Sequence, residues 1–385
     1  MPVRNKFVNL EVVKSKFQPN ISKTIMTKEK KPIRILVVGC GNMGASHALA
    51  YHQLDAYEIV GLVSGGKTKE KLNEKLGGSY PLFDEYYAAM SATKPDAVSI
   101  STYPDTHEPF AIHAIENGCH VFVEKPLADT VDGAQRVVDA ARKHDKKLVV
   151  GYILRHHPSW EKFIEVSQKL GKPLVMRMNL NQQSEGSMWT LHRNLMKSLS
   201  PIVDCGVHYI DVMCQMTRSK PTQVYAIGAR LTDEIPAGNY NYGNLQIRFE
   251  DGSVGWYEAG WGPMVSETAF FIKDVFGPNG SVSIVAKEAG GSGKSDSIEA
   301  HTKTESLLYH RGELNKEDLF VHEDEWIDLT DEPDHNGLCK REQEFFLRAI
   351  QENLDLSDHM EDAVNSLRIA FACDESVRTG QVVQL

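Results

Sequence analysis

Apolar runs and polar gaps follow one another at a steady interval through the first 150 residues. Ile35-Leu36-Val37-Val38, in a strand that begins at Ile33, runs into Gly39-Cys40-Gly41-Asn42-Met43-Gly44, and Ala45 to Tyr51 reads as the start of a helix. Glu58–Val63, Ala97–Ser101, His120–Val123 and Lys147–Val150 repeat the strand signal. Helices are predicted at Lys67–Leu76, at Glu108–Asn117 closed by Gly118, and at Thr130–His144. Apolar strands separated by helices of about ten residues predict βαβ units and a parallel sheet covered on both faces.

Beyond that point the period changes. In Pro173–Gln182, Leu174, Met176, Met178 and Leu180 fall on one face and Arg177, Asn179 and Asn181 on the other. Asp251-Gly252 joins two alternating runs, Asn244–Glu250 and Ser253–Ala259, as a hairpin. Pro278-Asn279-Gly280 predicts another, between Ala269–Phe276 and Ser281–Ala286. Such alternation describes an antiparallel sheet with one covered face. Ala289–Ser297 reads as a glycine-serine loop. Phe345, Phe346, Ala349 and Ile350 fit one amphipathic helix, Ala363, Leu367, Ala370 and Phe371 a second, and Gly380 is placed to cap the end.

The glycine stretch is where chemistry enters. G-x-G-x-x-G between a strand and a helix is a dinucleotide cradle: Gly39 for the tight turn, Gly41 for close approach of a pyrophosphate, Gly44 for helix–strand packing, with Asn42 and Met43 between them at the helix N-terminus. Other ligand-facing stretches are expected at the carboxyl ends of the strands, Thr102 to His107 and Glu124-Lys125-Pro126. Cofactor choice is expected where the second strand ends. There Ser64-Gly65-Gly66-Lys67 carries no carboxylate, and Lys67 and Lys69 offer cations to a 2′-phosphate, which favours NADP over NAD. Pro126 ends its strand and holds Lys125 extended, as a candidate donor to a substrate hydroxyl.

Composition narrows the partners. The chain has 385 residues, long enough for two domains, and a net charge of −10 without a basic face, which argues against nucleic acid or an anionic membrane. No apolar run has membrane-spanning length. Six cysteines (Cys40, Cys119, Cys205, Cys214, Cys339, Cys373) have no C-x-x-C spacing, so a cytoplasmic protein with no disulfide framework and no metal site is expected; adjacent His156 and His157 diverge too far to share a metal. Residues 1–30 are mixed and lysine-rich, an extension expected to be disordered or loosely docked, with Met26 as an alternative start.

Read together, Gly39-x-Gly41-x-x-Gly44-x-x-His47, Thr106-His107, Gly118-x-His120-Val121-x-x-Glu124-Lys125-Pro126, Asp204-Cys205-Gly206-Val207-His208-x-x-Asp211 and Ser376-x-x-x-Gly380 resemble the glucose–fructose oxidoreductase / inositol dehydrogenase (Gfo/Idh/MocA) family, in its order and over nearly all of residues 33–385. The resemblance implies an α/β protein: an N-terminal Rossmann dinucleotide-binding domain (31–151) and a C-terminal α/β domain (152–385) with a large open, mostly antiparallel sheet, the last helices placed to pack back on the first domain. It implies NADP or NAD as cofactor, a cis Lys125–Pro126 bond, and a homodimer or homotetramer built through the sheet. Lys125, Asp204 and His208 become the catalytic set: His208 the base, Asp204 its partner, Lys125 the group bonding the reacting oxygen. Thr102, His107 and Glu124 join the glycine loop, Ser64, Lys67 and Lys125 as cofactor residues. Asp204 and His208 are four positions apart, which places both on one helix face. Gly206 between them is expected to let nicotinamide or sugar approach. One departure is Ser200-Pro201-Ile202-Val203, where the family often has glycines.

Substrate contacts are expected from Lys125, Asp204 and His208, from Arg155 after the fifth strand, and from Trp189, His192, Arg193 and Lys197 on an irregular loop, with Tyr240 and Tyr242 on another; each of the loop residues has the alternative of a packed or solvated side chain. Tryptophan stacks on pyranose rings and charged side chains bond hydroxyls. The expected activity is hydride transfer between nicotinamide and a secondary hydroxyl or ketone of a sugar or polyol. Two rivals share the family's fold: a glycoside hydrolase that oxidises its substrate transiently with bound NAD, and a non-catalytic dinucleotide-sensing regulator.

Overall fold

The computed structural model describes residues 31–266, 272–285, 295, 304, 306–329 and 332–385. The extension at 1–30 and most of the glycine-serine stretch therefore lie outside the described residues. The first βα repeats run β1 (Ile33–Val38), α1 (Asn42–Gln53), β2 (Tyr57–Val63), α2 (Thr68–Lys75), β3 (Leu82–Phe83), α3 (Tyr86–Thr93), β4 (Ala97–Ile100), α4 (Pro104–Glu116), β5 (His120–Glu124), α5 (Val131–Lys143) and β6 (Leu148–Gly151). All six strands pair in parallel in the order β3-β2-β1-β4-β5-β6. The strand order reverses between β1 and β4, and a ligand crevice belongs at that switch point. The expected parallel sheet is present, with two elements too short to read from periodicity: the two-residue β3 and the helix α3. Helix α4 begins earlier than its apolar pattern because Pro104 occupies its first turn, where a missing N–H costs nothing.

A 3₁₀ turn (Ile153–His156) leads into α6 (Pro158–Ser167), β7 (Val175–Gln182), α7 (Gly186–Leu195), a π-helical turn (Ile202–Gly206) and α8 (Val207–Thr217). Then follow β8 (Pro221–Ala229), β9 (Tyr242–Phe249), β10 (Val254–Trp261), β11 (Lys273–Gly277), β12 (Gly280–Val285), β13 (Ser306–Arg311), β14 (Glu325–Asp328), α9 (His335–Gln351), α10 (Ser357–Thr379) and β15 (Val383–Gln384). The second sheet orders its nine strands β14-β13-β12-β11-β7-β10-β9-β8-β15. Both expected hairpins form, β9–β10 at Asp251-Gly252 and β11–β12 at Pro278-Asn279. One pairing, β7 with β10, is parallel.

Leu174, Met176, Met178 and Leu180 are all buried, so the alternation of β7 points its apolar side at the helices as expected. Asn179 and Asn181 on the other side are buried too, so that side is not a solvent face near the end of the strand. Helix α10 serves two cores: Ala363, Val364 and Leu367 pack with the first sheet, and Ile369, Ala370 and Cys373 with the second. Phe346 and Ala349 of α9 also enter the first core. Gly380 ends α10 in the left-handed conformation, at φ 67°.

Candidate active site

The loop between β1 and α1 is shaped by contacts that only glycine permits. A Cβ on Gly39 (φ +91°) would lie 2.2 Å from the Ser101 carbonyl oxygen, and one on Gly44 1.9 Å from the Gly39 oxygen. Gly41 is different, because a Cβ there would meet no atom of the described residues within 4 Å. Helix α1 has no side-chain cap and no acidic residue in its first turn, so among the described residues no cap or first-turn carboxylate competes for its N–H groups. These features fit a dinucleotide pyrophosphate, which would lie over Gly41 with Asn42 and Met43 donating. At the end of β2, the Ser64 hydroxyl bonds that of Thr68 at 2.8 Å. Lys67 is exposed. Lys69 is not an available cation: its Nζ donates to the carbonyls of Ser64 and Gly66, both at 2.9 Å, and pairs with Asp84 at 2.6 Å.

At the end of β5, Lys125 meets the π-helical turn. The Lys125–Pro126 bond is cis. Lys125 Nζ donates to the Asp204 backbone carbonyl (2.8 Å) and to Asp204 Oδ1 (3.1 Å). The thiol of Cys205 donates to Asp204 Oδ2 at 3.4 Å. Burial alone would push the Asp204 carboxyl up, but the Lys125 ammonium and these hydrogen bonds outweigh it and hold it below the usual carboxylate value. Burial likewise works against the Lys125 ammonium, and the negative charge of Asp204 overcomes it, so its pKa stands above the ordinary lysine value. Lys125 is thus held as a cation and hydrogen-bond donor. His208, second residue of α8 and half-buried, stands edge-on to Tyr152 with 6.0 Å between ring centres, and its field reaches Asp204.

Several expected site residues have other work. Arg155 is enclosed by acids, bonding Asp211 through Nε (2.8 Å) and a terminal nitrogen (2.5 Å) and Asp362 at 2.7 Å. That network ties the 3₁₀ turn to α8 and α10 and occupies the Arg155 guanidinium with protein carboxylates rather than leaving it open to a substrate. His107 is buried, and its Nδ1 donates to the Pro126 carbonyl at 2.7 Å, fastening α4 to the Lys125–Pro126 turn. Glu124 is also buried: Oε1 takes His47 Nε2 at 2.6 Å and Oε2 the Lys125 amide at 3.2 Å. Through these bonds both brace the turn that carries Lys125. Thr102 spends its hydroxyl on that of Thr106, at 2.6 Å. Gly206 admits Tyr257 rather than a ligand, since a Cβ would lie 2.8 Å from that ring.

Trp189, His192 and Arg193 stand on α7, a helix and not an irregular loop. Arg193 lies over the Trp189 ring (5.5 Å) and ion-pairs with Glu234, which also accepts from Trp189 Nε1 at 3.3 Å. With 8 % of its surface exposed, Trp189 keeps little face for a sugar. His192 is buried against Trp261, ring on ring at 4.4 Å, with Nδ1 bonded to Ser184 Oγ at 3.0 Å. Burial lowers its pKa to about 4, and Asp204 lies close enough to oppose that shift. Tyr240 bonds Asp374 at 2.5 Å, and Lys197 is an exposed cation on Asn194. His156 and His157 diverge as expected, the first onto Phe345 and the second capping α6 through Ser159 N.

Two groups at the site carry no signal in the motif spacing. Cys205 is the variable position of D-x-G-x-x. Gln182, the last residue of β7, accepts from Trp261 Nε1 at 2.8 Å and lies 3.9 Å from the Cys205 sulfur.

Comparison with known proteins agrees with this geometry. Residues 33–152 match the oxidoreductase family with an NAD-binding Rossmann fold, and residues 164–282 match the GFO/IDH/MocA C-terminal domain. An inositol 2-dehydrogenase of Burkholderia cenocepacia is 28% identical over 187 residues, 47% of this chain and 53% of the relative. A D-glucoside 3-dehydrogenase of Escherichia coli is 27% identical over 193 residues, 49% of this chain and 54% of the relative. The chain spans about half the length of the curated relatives it matches. The solved scyllo-inositol dehydrogenase of Lactobacillus casei with NAD(H) and scyllo-inositol shares the fold at a TM-score of 0.71, with 20% identity over 92% of this chain and 99% of that one. With both sheets, the glycine cradle and the Lys125–Asp204 pair in place, the chain belongs to the Gfo/Idh/MocA oxidoreductase family.

Proposed function

We propose that the protein is an NAD(P)-dependent dehydrogenase or reductase acting on a secondary hydroxyl or ketone of a sugar or polyol. The observation that carries this reading is Lys125, held as an ammonium by Asp204 beside His208 at the carboxyl end of β5. Bound nicotinamide supplies the hydride acceptor or donor. An ammonium has three N–H bonds, and Asp204 takes two of them, so the third serves a substrate oxygen. Lys125 thereby stabilises alkoxide character as the C–H bond breaks. His208 accepts the hydroxyl proton, the task most often given to an imidazole in general-base catalysis. Asp204 keeps the lysine in place and favours a cation on His208. The relatives named as inositol and glucoside dehydrogenases support the substrate class. A regulator without catalysis has no use for this pair.

A panel of polyols and glycosides, assayed with both dinucleotides by nicotinamide absorbance, tests the reading. Turnover on at least one is expected; release of free sugar with no net absorbance change overturns it in favour of transient-oxidation hydrolysis. NADP is the preferred cofactor because β2 ends at Ser64 without a carboxylate and Lys67 is exposed beside it. NADP should raise the melting temperature more than NAD at equal concentration, and Lys67→Glu should erase the difference. A larger rise with NAD refutes this preference.

The outer side of the second sheet exposes Tyr225, Ile227, Val254 and Phe276, which fits a second copy of the chain. Light scattering is expected to give a dimer or tetramer, and a monomer at micromolar concentration excludes it.

A further inference from the structure

Behind the active site, where α9 crosses α1, three buried side chains with metal-binding chemistry converge, with a fourth, His335, beside one of them. Helix α9 opens with His335, Cys339 and Glu342, spaced four and three residues apart and so stacked on one helix face. His335 Nε2 lies 3.6 Å from Cys339 Sγ. Across from them is His47 of α1. The donor atoms of His47, Cys339 and Glu342 lie within 4.8 Å of one another, and all three residues are buried. Glu342 is 1 % exposed, and neither of its carboxylate oxygens has a hydrogen-bond partner among the described residues. A carboxylate without partners in an apolar interior costs several kcal/mol unless a cation or proton answers it.

The geometry points to a structural zinc site formed by His47, Cys339 and Glu342, with His335 as the fourth, solvent-side ligand. One thiolate, one carboxylate and two neutral imidazoles balance the charge of Zn²⁺ in a dry interior and give the usual four ligands. Calcium and magnesium call for six or more oxygens, and this set offers one carboxylate. The second coordination sphere is already built. His47 Nε2 donates to Glu124 at 2.6 Å, the carboxylate–histidine arrangement that orients imidazole ligands and raises their basicity. That leaves Nδ1 for the metal, once the Gln343 amide that now donates to it at 2.9 Å turns aside. Tetrahedral zinc sets neighbouring donors about 3.5 Å apart, so the three clustered donors draw in by roughly 1 Å and His335 turns in from beside Cys339. His335 is half-buried and gives the ion its way in. Binding displaces the Cys339 thiol proton to solvent, together with any carboxyl proton on Glu342. The site would brace His47, and through Glu124 the turn that carries Lys125.

Cobalt(II) reports the site without reference to activity. The full chain, stripped by a chelator and titrated with Co²⁺, should take up one ion with visible bands of tetrahedral geometry and a near-ultraviolet thiolate-to-cobalt band, both bleached by Zn²⁺. Cys339→Ala should remove the thiolate band. Glu342→Gln and His335→Ala should each weaken cobalt at least 10-fold. A dinucleotide-induced rise in melting temperature verifies that each variant is folded, and His335→Ala, at a half-exposed position, carries the test if Cys339→Ala does not fold. No thiolate band in the parent protein, or a band that survives Cys339→Ala through another of the six cysteines, overturns the proposal. So does a Glu342→Gln protein that gains stability while binding cobalt as the parent does, which would mark Glu342 as a neutral buried acid.

Discussion

Lys125 spends two N–H bonds on Asp204, and in the proposed reaction the third goes to the substrate, so the substitutions around it separate chemistry from binding. His208→Ala should lower turnover by about 10²–10⁴-fold while the dinucleotide still raises the melting temperature as in the parent. Unchanged turnover would refute the base. Lys125→Met should abolish turnover and also cost stability of about 3 kcal/mol, because Asp204 is left buried without its cation; adding Asp204→Asn should recover most of that stability and none of the activity. At this scale the sequence was readable where spacing carries the meaning: Lys125 before a proline, Asp204 four residues ahead of His208. It was unreadable where a partner comes from far along the chain. Arg155 is claimed by Asp211 and Asp362, 56 and 207 residues away, and nothing near Arg155 announces either. His107 and Glu124 sit at the predicted strand ends, yet residue type could not say that their polar atoms turn inward. The four-and-three spacing of His335, Cys339 and Glu342 was visible, but its value depends on His47 arriving from almost 300 residues upstream.

Among the elements, the β1–α1 loop offers the sharpest contrast. Gly41 has an ordinary extended backbone (φ −74°, ψ −165°) and no atom of the described residues near its missing Cβ. Gly41→Val should therefore leave stability within about 0.5 kcal/mol while weakening dinucleotide binding 10-fold or more, as calorimetric titration would read. Equal affinity in that variant would mean that the pyrophosphate lies elsewhere. Gly44→Ala should do the reverse first and lower stability by roughly 1–3 kcal/mol, since its methyl group would press on the Gly39 carbonyl. Strand and helix periodicity located most of the first sheet, β7, both hairpins and the two last helices, because burial on one or both faces writes itself into local sequence; it left β3, α3, α6, α7, β8 and β13–β15 unread. The parallel pairing of β7 with β10 and the π-helical turn under Asp204 left no such trace. Both are fixed by contacts between distant segments.

Across the whole molecule, buried neutral histidines set the response to acid. Burial lowers the pKa of His156 to about 3 and those of His157 and His192 to about 4, and pushes His359 well below its ordinary value of 6.5. The unfolded chain binds protons at these sites below pH 6.5 and the folded chain does not. Their stabilising contribution is therefore whole above that value and declines as the pH falls from 6.5 toward 4 and then 3, by about 1.4 kcal/mol per pH unit for each histidine. Melting temperature should fall steeply between pH 6.5 and 5, before the carboxylates titrate; a flat profile over that interval would show that these rings are not neutral in the fold.

Helix α10 gives its first half to one core and its second half to the other, and that division has a consequence for how the chain is made. Synthesis delivers all six strands of the first sheet some two hundred residues before Phe346, Val364 and Leu367 leave the ribosome. Until then the apolar surface those side chains cover stays open to water. The nascent sheet must wait, protected or loosely formed, for the last tenth of the chain. A fragment ending before α9 should accordingly lack a cooperative thermal transition, even though it holds the entire glycine cradle.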